Sequence, residues 1–419
     1  MPYPLMRPVR CCATISANRA PANIGDHLAD VDTPALLVDL DVVERNCEKL
    51  RRTMAAYPGV AIRPHAKAHK CADLAQLQLR LLAARGVCCQ KVVEAEAMAE
   101  GGITDLLLTN EVVAARKVDR LVGLAAAGAR VGVCFEDPDN LRHLNRAAAA
   151  RGTTLDVLLE LNVGQDRQVV VDAVWTPPSR RWTWPGQPPP WTTSASGGCR
   201  PTTGPFNTSG TQGIGRVAWR RLEAASGVFT EVQPGSFVFN DADYSRNVQV
   251  GSSGGVLEEE ALGGGGWQRR GVGAEPLGAD AGCMLVMSTN PSRGLAVVDA
   301  GTKAVSLDSG PPQLPRSFTE MYGVTLEYVS GGDEHGKLLW PQGAYQLPPQ
   351  LPPVGAMLKL QPGHCDPTVN LYDWIVAVRS ENRLGGNAAA VAGGGDDRDD
   401  DGVMTVVAVW PVRGRGPGQ

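Results

Sequence analysis

Residues 87–135 read VCCQKVVEAEAMAEGGITDLLLTNEVVAARKVDRLVGLAAAGARVGVCF, and their hydrophobic periodicity indicates the fold class. Short apolar runs predict three strands, at 87–89, 105–108 and 131–135. Between them, apolar residues at three- and four-residue spacing predict two helices, at 92–100 and 112–127. Because the connections are only a few residues long, successive strands should run in the same direction with a helix crossing between them. The stretch therefore predicts an α/β domain with a parallel sheet.

The same alternation continues on both sides of this stretch. Further strands are predicted at 60–63 and 155–161, and further helices at 72–84 and 138–150. Five strands alternating with four helices are typical of a (β/α)8 barrel and also of a doubly wound sheet. The pattern alone leaves both architectures open.

The regular alternation stops after residue 167. Between Trp175 and Trp219 lie five of the nine tryptophans and eight prolines, with no periodic apolar face. A βα unit needs about 30 residues. The 54 residues of the stretch 168–221 therefore hold fewer than two units. We expect the barrel units after residue 167 to be irregular or damaged.

The C-terminal part has a different pattern. Short apolar runs separated by turn residues predict strands at 228–232, 282–287, 295–299, 324–329, 357–360, 374–378 and 404–409. Because little helical periodicity separates these runs, we predict an antiparallel β domain. Three low-complexity segments are expected to be surface insertions, at 251–279, 344–354 and 385–402.

The predicted organisation has four parts: an arm at 1–28, a barrel domain at 29–250 that is irregular over 168–221, an insertion at 251–279, and a β domain at 280–419. The arm contains Arg7, Arg10 and Arg19 but no acidic residue before Asp26. This bias is typical of a plastid or mitochondrial transit peptide. The alternative is a disordered arm that carries no targeting signal. We therefore expect a cytoplasmic or organellar protein.

Composition excludes several partners. With 40 Lys+Arg against 44 Asp+Glu, the net charge of −4 gives no general attraction to nucleic acid or to an anionic membrane. Apolar runs fall short of the about 18 residues that a membrane span needs. The ten cysteines form neither a CxxC pair nor a dense disulfide framework, which fits a reducing compartment.

The first chemical motif is RPHAKAHK, residues 63–70. In an extended segment the side chains of His65, Lys67 and His69 share one face and could line one cavity at the end of the first barrel strand. Two cationic or polar neighbours would favour the neutral amine of Lys67, which is the form that makes a Schiff base. The alternative is a solvated basic turn.

The second motif is PGHCDPTVNLYD, residues 362–373. On a strand, His364 and Asp366 would project to one side and Cys365 to the other, and the pair would suit a divalent cation. Two protein ligands plus waters would make an open site. The alternative is a histidine satisfied by ordinary hydrogen bonds. Gly213 and Gly215 lack the third glycine and the helix of a dinucleotide site.

These motifs and others, in the same order along the chain, resemble the D-threonine aldolases and the related eukaryotic D-serine dehydratases. The other matching segments are 32–40 (DTPALLVDL), 108–111 (LTNE), 162–167 (NVGQDR), 223–228 (EAASGV), 233–236 (QPGS), 241–244 (DADY), 299–301 (DAG), 308–312 (DSGPP) and 333–336 (DEHG). The resemblance implies the alanine racemase type of pyridoxal-phosphate fold: a parallel (β/α)8 barrel, then an antiparallel β domain, assembled as a homodimer.

The resemblance also implies roles for individual residues. Lys67 would hold pyridoxal 5'-phosphate as a Schiff base. His65 and His69, which the spacing of the motif places beside Lys67, are the other candidate catalytic residues. Four residues would contact the cofactor: Arg167 near its phenolic oxygen, Tyr244, and Gly213 and Gly215 in a phosphate loop. His364 and Asp366 would bind a divalent metal, Mn²⁺, Mg²⁺ or Zn²⁺.

The residue at 366 separates two reactions of the family. Members that dehydrate D-serine present Cys two residues after the metal-binding His, whereas the aldolases present Asp, as here. The resemblance therefore implies a metal-assisted lyase that cleaves D-threonine and related D-3-hydroxy amino acids to glycine and an aldehyde. D-serine dehydration or racemisation is the alternative. An inactive barrel protein is an alternative of another class, because of the stretch 168–221.

Overall fold

The computed structural model describes residues 19–160, 231–235, 237–239, 283–323, 325–340, 351–381 and 403–417. Its first part alternates strands and helices as the periodicity predicts. In chain order these are β1 Leu37–Asp39, α1 Leu40–Ala55, β2 Ala61–Ile62, α2 Ala72–Leu82, β3 Val87–Cys89, α3 Val92–Glu100, β4 Asp105–Glu111, α4 Ala115–Ala126, β5 Arg130–Phe135, α5 Pro138–Ala150 and β6 Asp156–Leu159. The strands and helices predicted over residues 60–159 are thus confirmed.

One strand pairing distinguishes the barrel from the doubly wound sheet. Strands β3, β4, β5 and β6 pair in sequence order, all parallel. On the other side, β2 pairs in parallel with β7, Glu231–Val232, which comes about 170 residues later in the chain. His65 forms a parallel bridge to Cys88 and so joins the two sheets. A strand from late in the chain that pairs with the first barrel strand, β2, is the pairing expected when a sheet closes into a barrel.

The C-terminal part is rich in short strands. It contains β8 Cys283–Asn290, β9 Leu295–Val298, α6 Arg316–Tyr322, β10 Glu327–Ser330, β11 Gly336–Leu339, β12 Met357–Lys359, α7 Cys365–Val369, β13 Trp374–Ser380 and β14 Met404–Pro411. Five of the strands form a sheet in the order β10-β11-β9-β8-β12, with every pair antiparallel. The predicted antiparallel β domain is confirmed, although β11 and α6 were not predicted.

The N-terminal strand crosses into this C-terminal part. Strand β1 pairs in parallel with β13, and β13 pairs in antiparallel fashion with β14. The described C-terminal strands pair with one another in antiparallel fashion, whereas β13 pairs in parallel with a strand from the beginning of the chain. Helix α1 follows β1 at once, and the Asp39 side chain caps it by accepting hydrogen bonds from the Asp41 and Val42 amides.

One apolar core spans the first elements of the barrel and the C-terminal sheet that contains β13. Val38 of β1, Ile62 of β2 and Val232 of β7 are buried in the same cluster as Cys365 of α7 and Ile375 of β13. Polar contacts reinforce the junction: Thr33 Oγ1 donates to Asp299 Oδ2 at 2.6 Å. This packing brings α7 against the short 3-10 helix Ala66–Ala68 that follows β2.

Several predictions lie wholly or partly outside the described residues. These are the arm up to residue 18, the stretch 168–221, the insertions 251–279 and 385–402, and the cofactor residues Arg167, Gly213, Gly215 and Tyr244. The end of the segment 344–354 is described, and there Leu351 is buried in the β-domain core. Val354 is exposed, so the described end of this segment lies only partly at the surface. Within the described ranges, no helix is long and apolar enough to cross a membrane.

Candidate active site

Lys67 lies just beyond the C-terminal end of the first barrel strand. Backbone pairing with the β7 segment continues past β2: the Arg63 amide donates to Val232 O at 3.0 Å and the His65 amide to Pro234 O at 2.8 Å. The chain then turns into the 3-10 helix Ala66–Ala68, which contains Lys67. This end of a βα barrel is where catalytic groups of barrel enzymes are found.

His65 fixes the start of this turn. Its Nδ1 accepts a hydrogen bond from the Lys67 amide at 3.3 Å, and its Nε2 lies 3.0 Å from Thr109 Oγ1 at the end of β4. Burial, and then the charge of Lys67, lower the pKa of His65 to about 3. The ring is therefore neutral near pH 7, and because Nδ1 accepts, Nε2 carries the proton and donates to Thr109.

His69 is turned into the core. Its Nδ1 accepts from the Cys71 amide at 3.2 Å, and its Nε2 lies 3.1 Å from Gln78 Oε1 of α2. The ring also meets Phe239 edge-on, with centroids 6.5 Å apart. Burial lowers the pKa of His69 to about 4, so this ring is neutral as well.

The prediction that residues 65–69 are extended, with three side chains on one face, is wrong. A 3-10 helix has three residues per turn, so positions i and i+2 no longer point the same way. The three side chains accordingly have different neighbours. His65 contacts Thr109 and His69 contacts Gln78. Lys67 reaches toward the C-terminal part of the chain.

The partner of Lys67 is Asp366, at the start of α7. Lys67 Nζ lies 3.4 Å from Asp366 Oδ2. The second oxygen, Asp366 Oδ1, is buried and has no hydrogen-bond partner in the described part of the chain. Two motifs about 300 residues apart in the sequence therefore meet at one site, and one carboxylate oxygen there is left available for a ligand.

The second motif is not a strand, and this prediction is also wrong. His364 is the N-cap of α7, and Asp366 lies in the first helical turn, followed by Pro367. Proline is tolerated in the first turn of a helix, where the amide has no intrahelical acceptor. His364 Nδ1 lies 2.8 Å from Asp308 Oδ2, which leaves Nε2 as the nitrogen that could bind a metal.

The donor set fits an open metal site. In the described residues, no three His, Cys, Asp or Glu side chains come together as a metal cage. A cation at this place would therefore take two protein ligands, the His364 nitrogen and the buried Asp366 oxygen, with its other positions open. A nitrogen and a carboxylate oxygen suit Mn²⁺, Mg²⁺ or Zn²⁺.

Sequence reasoning missed Lys70 as a structural link in this site. Its backbone is left-handed, with φ of 51°, and its Nζ donates to Asn370 Oδ1 at 2.6 Å, just beyond α7. Glu94 lies 3.9 Å from the same ammonium. The Gly414 amide donates to Lys70 O, so the C-terminal segment also holds this turn. No local sequence pattern predicts these contacts, because they join distant parts of the chain.

Comparison with known proteins agrees with this architecture. Residues 38–168 match the alanine racemase N-terminal domain, and residues 282–378 match the serine dehydratase domain family. The chain is 34% identical to the 3-hydroxy-D-aspartate aldolase of Paracoccus denitrificans, covering 95% of this chain and 96% of that protein. It is 35% identical to the D-threonine aldolase of an Arthrobacter species, covering 86% and 92%.

Solved structures give the same result. The crystal structure of D-threonine aldolase from Filomicrobium marinum is 32% identical, with a TM-score of 0.66, and covers 95% of this chain and 99% of that one. The alanine racemase-like protein of Idiomarina loihiensis is 18% identical with a TM-score of 0.58, and it supports the fold alone.

A barrel of the alanine racemase type joined to a β domain of the serine dehydratase type defines a class, the fold type III pyridoxal-phosphate enzymes. Within that class, the chain belongs to the lyase family of the D-threonine aldolases and 3-hydroxy-D-aspartate aldolases.

Proposed function

We propose that this protein is a pyridoxal-phosphate-dependent, metal-assisted lyase that cleaves D-threonine and related D-3-hydroxy amino acids to glycine and an aldehyde. The contact between Lys67 and Asp366 carries the proposal, because it joins the candidate cofactor residue to a candidate metal ligand. Relatives named D-threonine aldolase and 3-hydroxy-D-aspartate aldolase, aligned over most of the chain, support the reaction class.

In this proposal Lys67 is the residue that holds the cofactor. When bound, pyridoxal phosphate supplies an electron sink for the carbanion that bond cleavage leaves at the substrate's α-carbon. Lys67 Nζ would hold the cofactor and, when free of it, could take up or return a proton. Asp366 Oδ2, 3.4 Å away, stabilises the ammonium that results.

His65 and His69 act beside Lys67 through position rather than through titration. Both ring nitrogens of each histidine contact protein groups, and burial keeps both rings neutral. The His65 ring accepts a hydrogen bond from the Lys67 amide, so it fixes the backbone position from which the lysine side chain extends. His69 ties the end of the turn to α2.

His364 and Asp366 would hold the divalent cation, which would supply a Lewis acid for the substrate's β-oxygen. Asp366 favours cleavage of the Cα–Cβ bond over dehydration, since the resemblance associates Cys at this position with dehydratases. Arg167, Tyr244, Gly213 and Gly215 remain predicted cofactor contacts. The homodimer and the compartment also remain predictions.

The absorbance spectrum of the purified protein tests whether this chain is an enzyme or an inactive barrel. A protein that holds the cofactor on a lysine absorbs at about 420 nm because of the cofactor's own chemistry. We expect this band after incubation with pyridoxal phosphate and desalting. A spectrum without the band, from protein that melts cooperatively, would favour the inactive barrel.

A further inference from the structure

The His364 side chain is held by a loop of the β domain. Asp308 Oδ2 accepts a hydrogen bond from His364 Nδ1 at 2.8 Å. The other oxygen, Asp308 Oδ1, accepts from Ser306 Oγ at 2.8 Å. Because a carboxylate can only accept, the proton of a neutral His364 ring must sit on Nδ1, and the lone pair must sit on Nε2.

The backbones that carry these side chains are locked together. Gln313 and Gln361 exchange two backbone hydrogen bonds of 2.8 Å. Thr368 Oγ1 accepts from the Ser306 amide at 3.2 Å and donates to His364 O at 2.9 Å. The loop approaches so closely that a Cβ at Gly363 would collide with the Gly310 carbonyl. The position of Asp308 relative to His364 is therefore fixed from both sides.

We propose that Asp308 is a positioning residue for the metal site, oriented by Ser306. It selects the Nδ1–H tautomer of His364 and fixes the ring so that Nε2 points its lone pair at a divalent cation. A carboxylate bound to the second nitrogen of a metal-binding histidine commonly does this. The inference rests on the metal site of the proposed function and adds a residue that contacts neither the cation nor the substrate.

If the same pair had a purely structural role, removal of Asp308 would lower the melting temperature and leave the metal affinity unchanged. Asp308 is half exposed, and exposed ion pairs contribute little to folding stability. Its removal should therefore leave the melting temperature nearly unchanged. If Asp308 positions a metal ligand, its removal should change the metal affinity instead.

The test is Mn²⁺ titration of the cofactor-loaded, chelator-treated protein, with free Mn²⁺ measured by electron paramagnetic resonance. Asp308→Ala should raise the Kd about 10- to 100-fold. Asp308→Asn should lose less Mn²⁺ affinity, because the Asn amide oxygen can still accept a hydrogen bond from His364 Nδ1. Glu334→Ala is the matched control in the same domain, since it removes only the exposed pair with Lys303, and its Kd should equal that of the wild type.

Nitrogen-15 shifts of His364 in the metal-free protein give a second readout that does not depend on any variant. A predominant Nδ1–H tautomer is expected, and a predominant Nε2–H tautomer would overturn the proposal. An unchanged Kd in Asp308→Ala would also overturn it, provided that His364→Ala abolishes Mn²⁺ binding. If His364→Ala binds Mn²⁺ as well as the wild type does, the metal site of the proposed function has failed, and the Asp308 proposal fails with it.

Discussion

Lys67 Nζ lies 3.4 Å from Asp366 Oδ2, although these residues belong to the barrel and to the C-terminal β domain. The contact depends on the packing of α7 against the 3-10 helix Ala66–Ala68. It also depends on the shared core in which β1 pairs with β13. Neither part of the chain builds this site alone.

Replacement of Lys67 tests the cofactor residue. Lys67→Ala should abolish the absorbance band at about 420 nm, because only a primary amine can bind the cofactor covalently. Lys303→Ala is the control, since Lys303 is an exposed lysine paired with Glu334. A full band in Lys67→Ala would assign the cofactor to another lysine.

Replacement of Asp366 by Cys tests the metal preference. Asp366→Cys exchanges a hard oxygen donor for a soft thiolate, so activity with Mn²⁺ should fall more than activity with Zn²⁺. His364→Ala should remove the dependence on added metal. The measurement is turnover of chelated enzyme after each cation is restored. Equal losses with both cations would argue against Asp366 as a ligand.

A buried ion cluster supports the barrel beneath the site. Arg63, almost fully buried, pairs with Asp105 at 2.6 Å and with Glu231 at 3.0 Å, and so ties β2 to β4 and β7. Arg63→Met should lower the free energy of unfolding by about 3–5 kcal/mol, because two carboxylates lose a buried counter-charge. Urea unfolding measures the change. Arg142→Ala, which removes the exposed pair with Asp139, should have little effect, and an equally small effect of Arg63→Met would contradict the account.

His65 should make the protein sensitive to acid. Its folded pKa of about 3 lies below the ordinary value of 6.5, so between these values the unfolded chain binds the proton and the folded chain does not. Stability should therefore fall as the pH falls through this window, by up to about 1.4 kcal/mol per pH unit.

His65→Asn isolates this contribution, because Asn can still accept the Lys67 amide proton as an N-cap but does not titrate. Melting temperatures of the two proteins measured from pH 7 to pH 4 provide the comparison. The variant should show a shallower decline. Parallel curves would mean that His65 is not buried as a neutral ring.

The repeating units of the barrel could be predicted from the sequence, because each strand and helix carries its own local period. Helix α1 also has such a period, with buried Leu40, Val43, Cys47 and Leu50, but it was not predicted. The pairing of β1 with β13 could not be predicted, since the two strands lie more than 300 residues apart and neither strand specifies its partner.

The candidate site residues were identified from motifs, but their geometry was not. A spacing of two fits a strand, and in both motifs the chain instead turns into a short helix. Pro367, next to Asp366, was the available signal for a helical first turn. Asp308 lies in a segment that resembles the family, yet its contact with His364 depends on how two loops pack.

Product analysis with D-threonine distinguishes cleavage of the Cα–Cβ bond from dehydration. Glycine and acetaldehyde are measured beside ammonia and 2-oxobutanoate, before chelation, after chelation, and after Mn²⁺ is restored. We expect glycine and acetaldehyde to dominate, to fall with the chelator, and to return with Mn²⁺. Ammonia and 2-oxobutanoate as the main products, or glycine release indifferent to the chelator, would contradict this expectation.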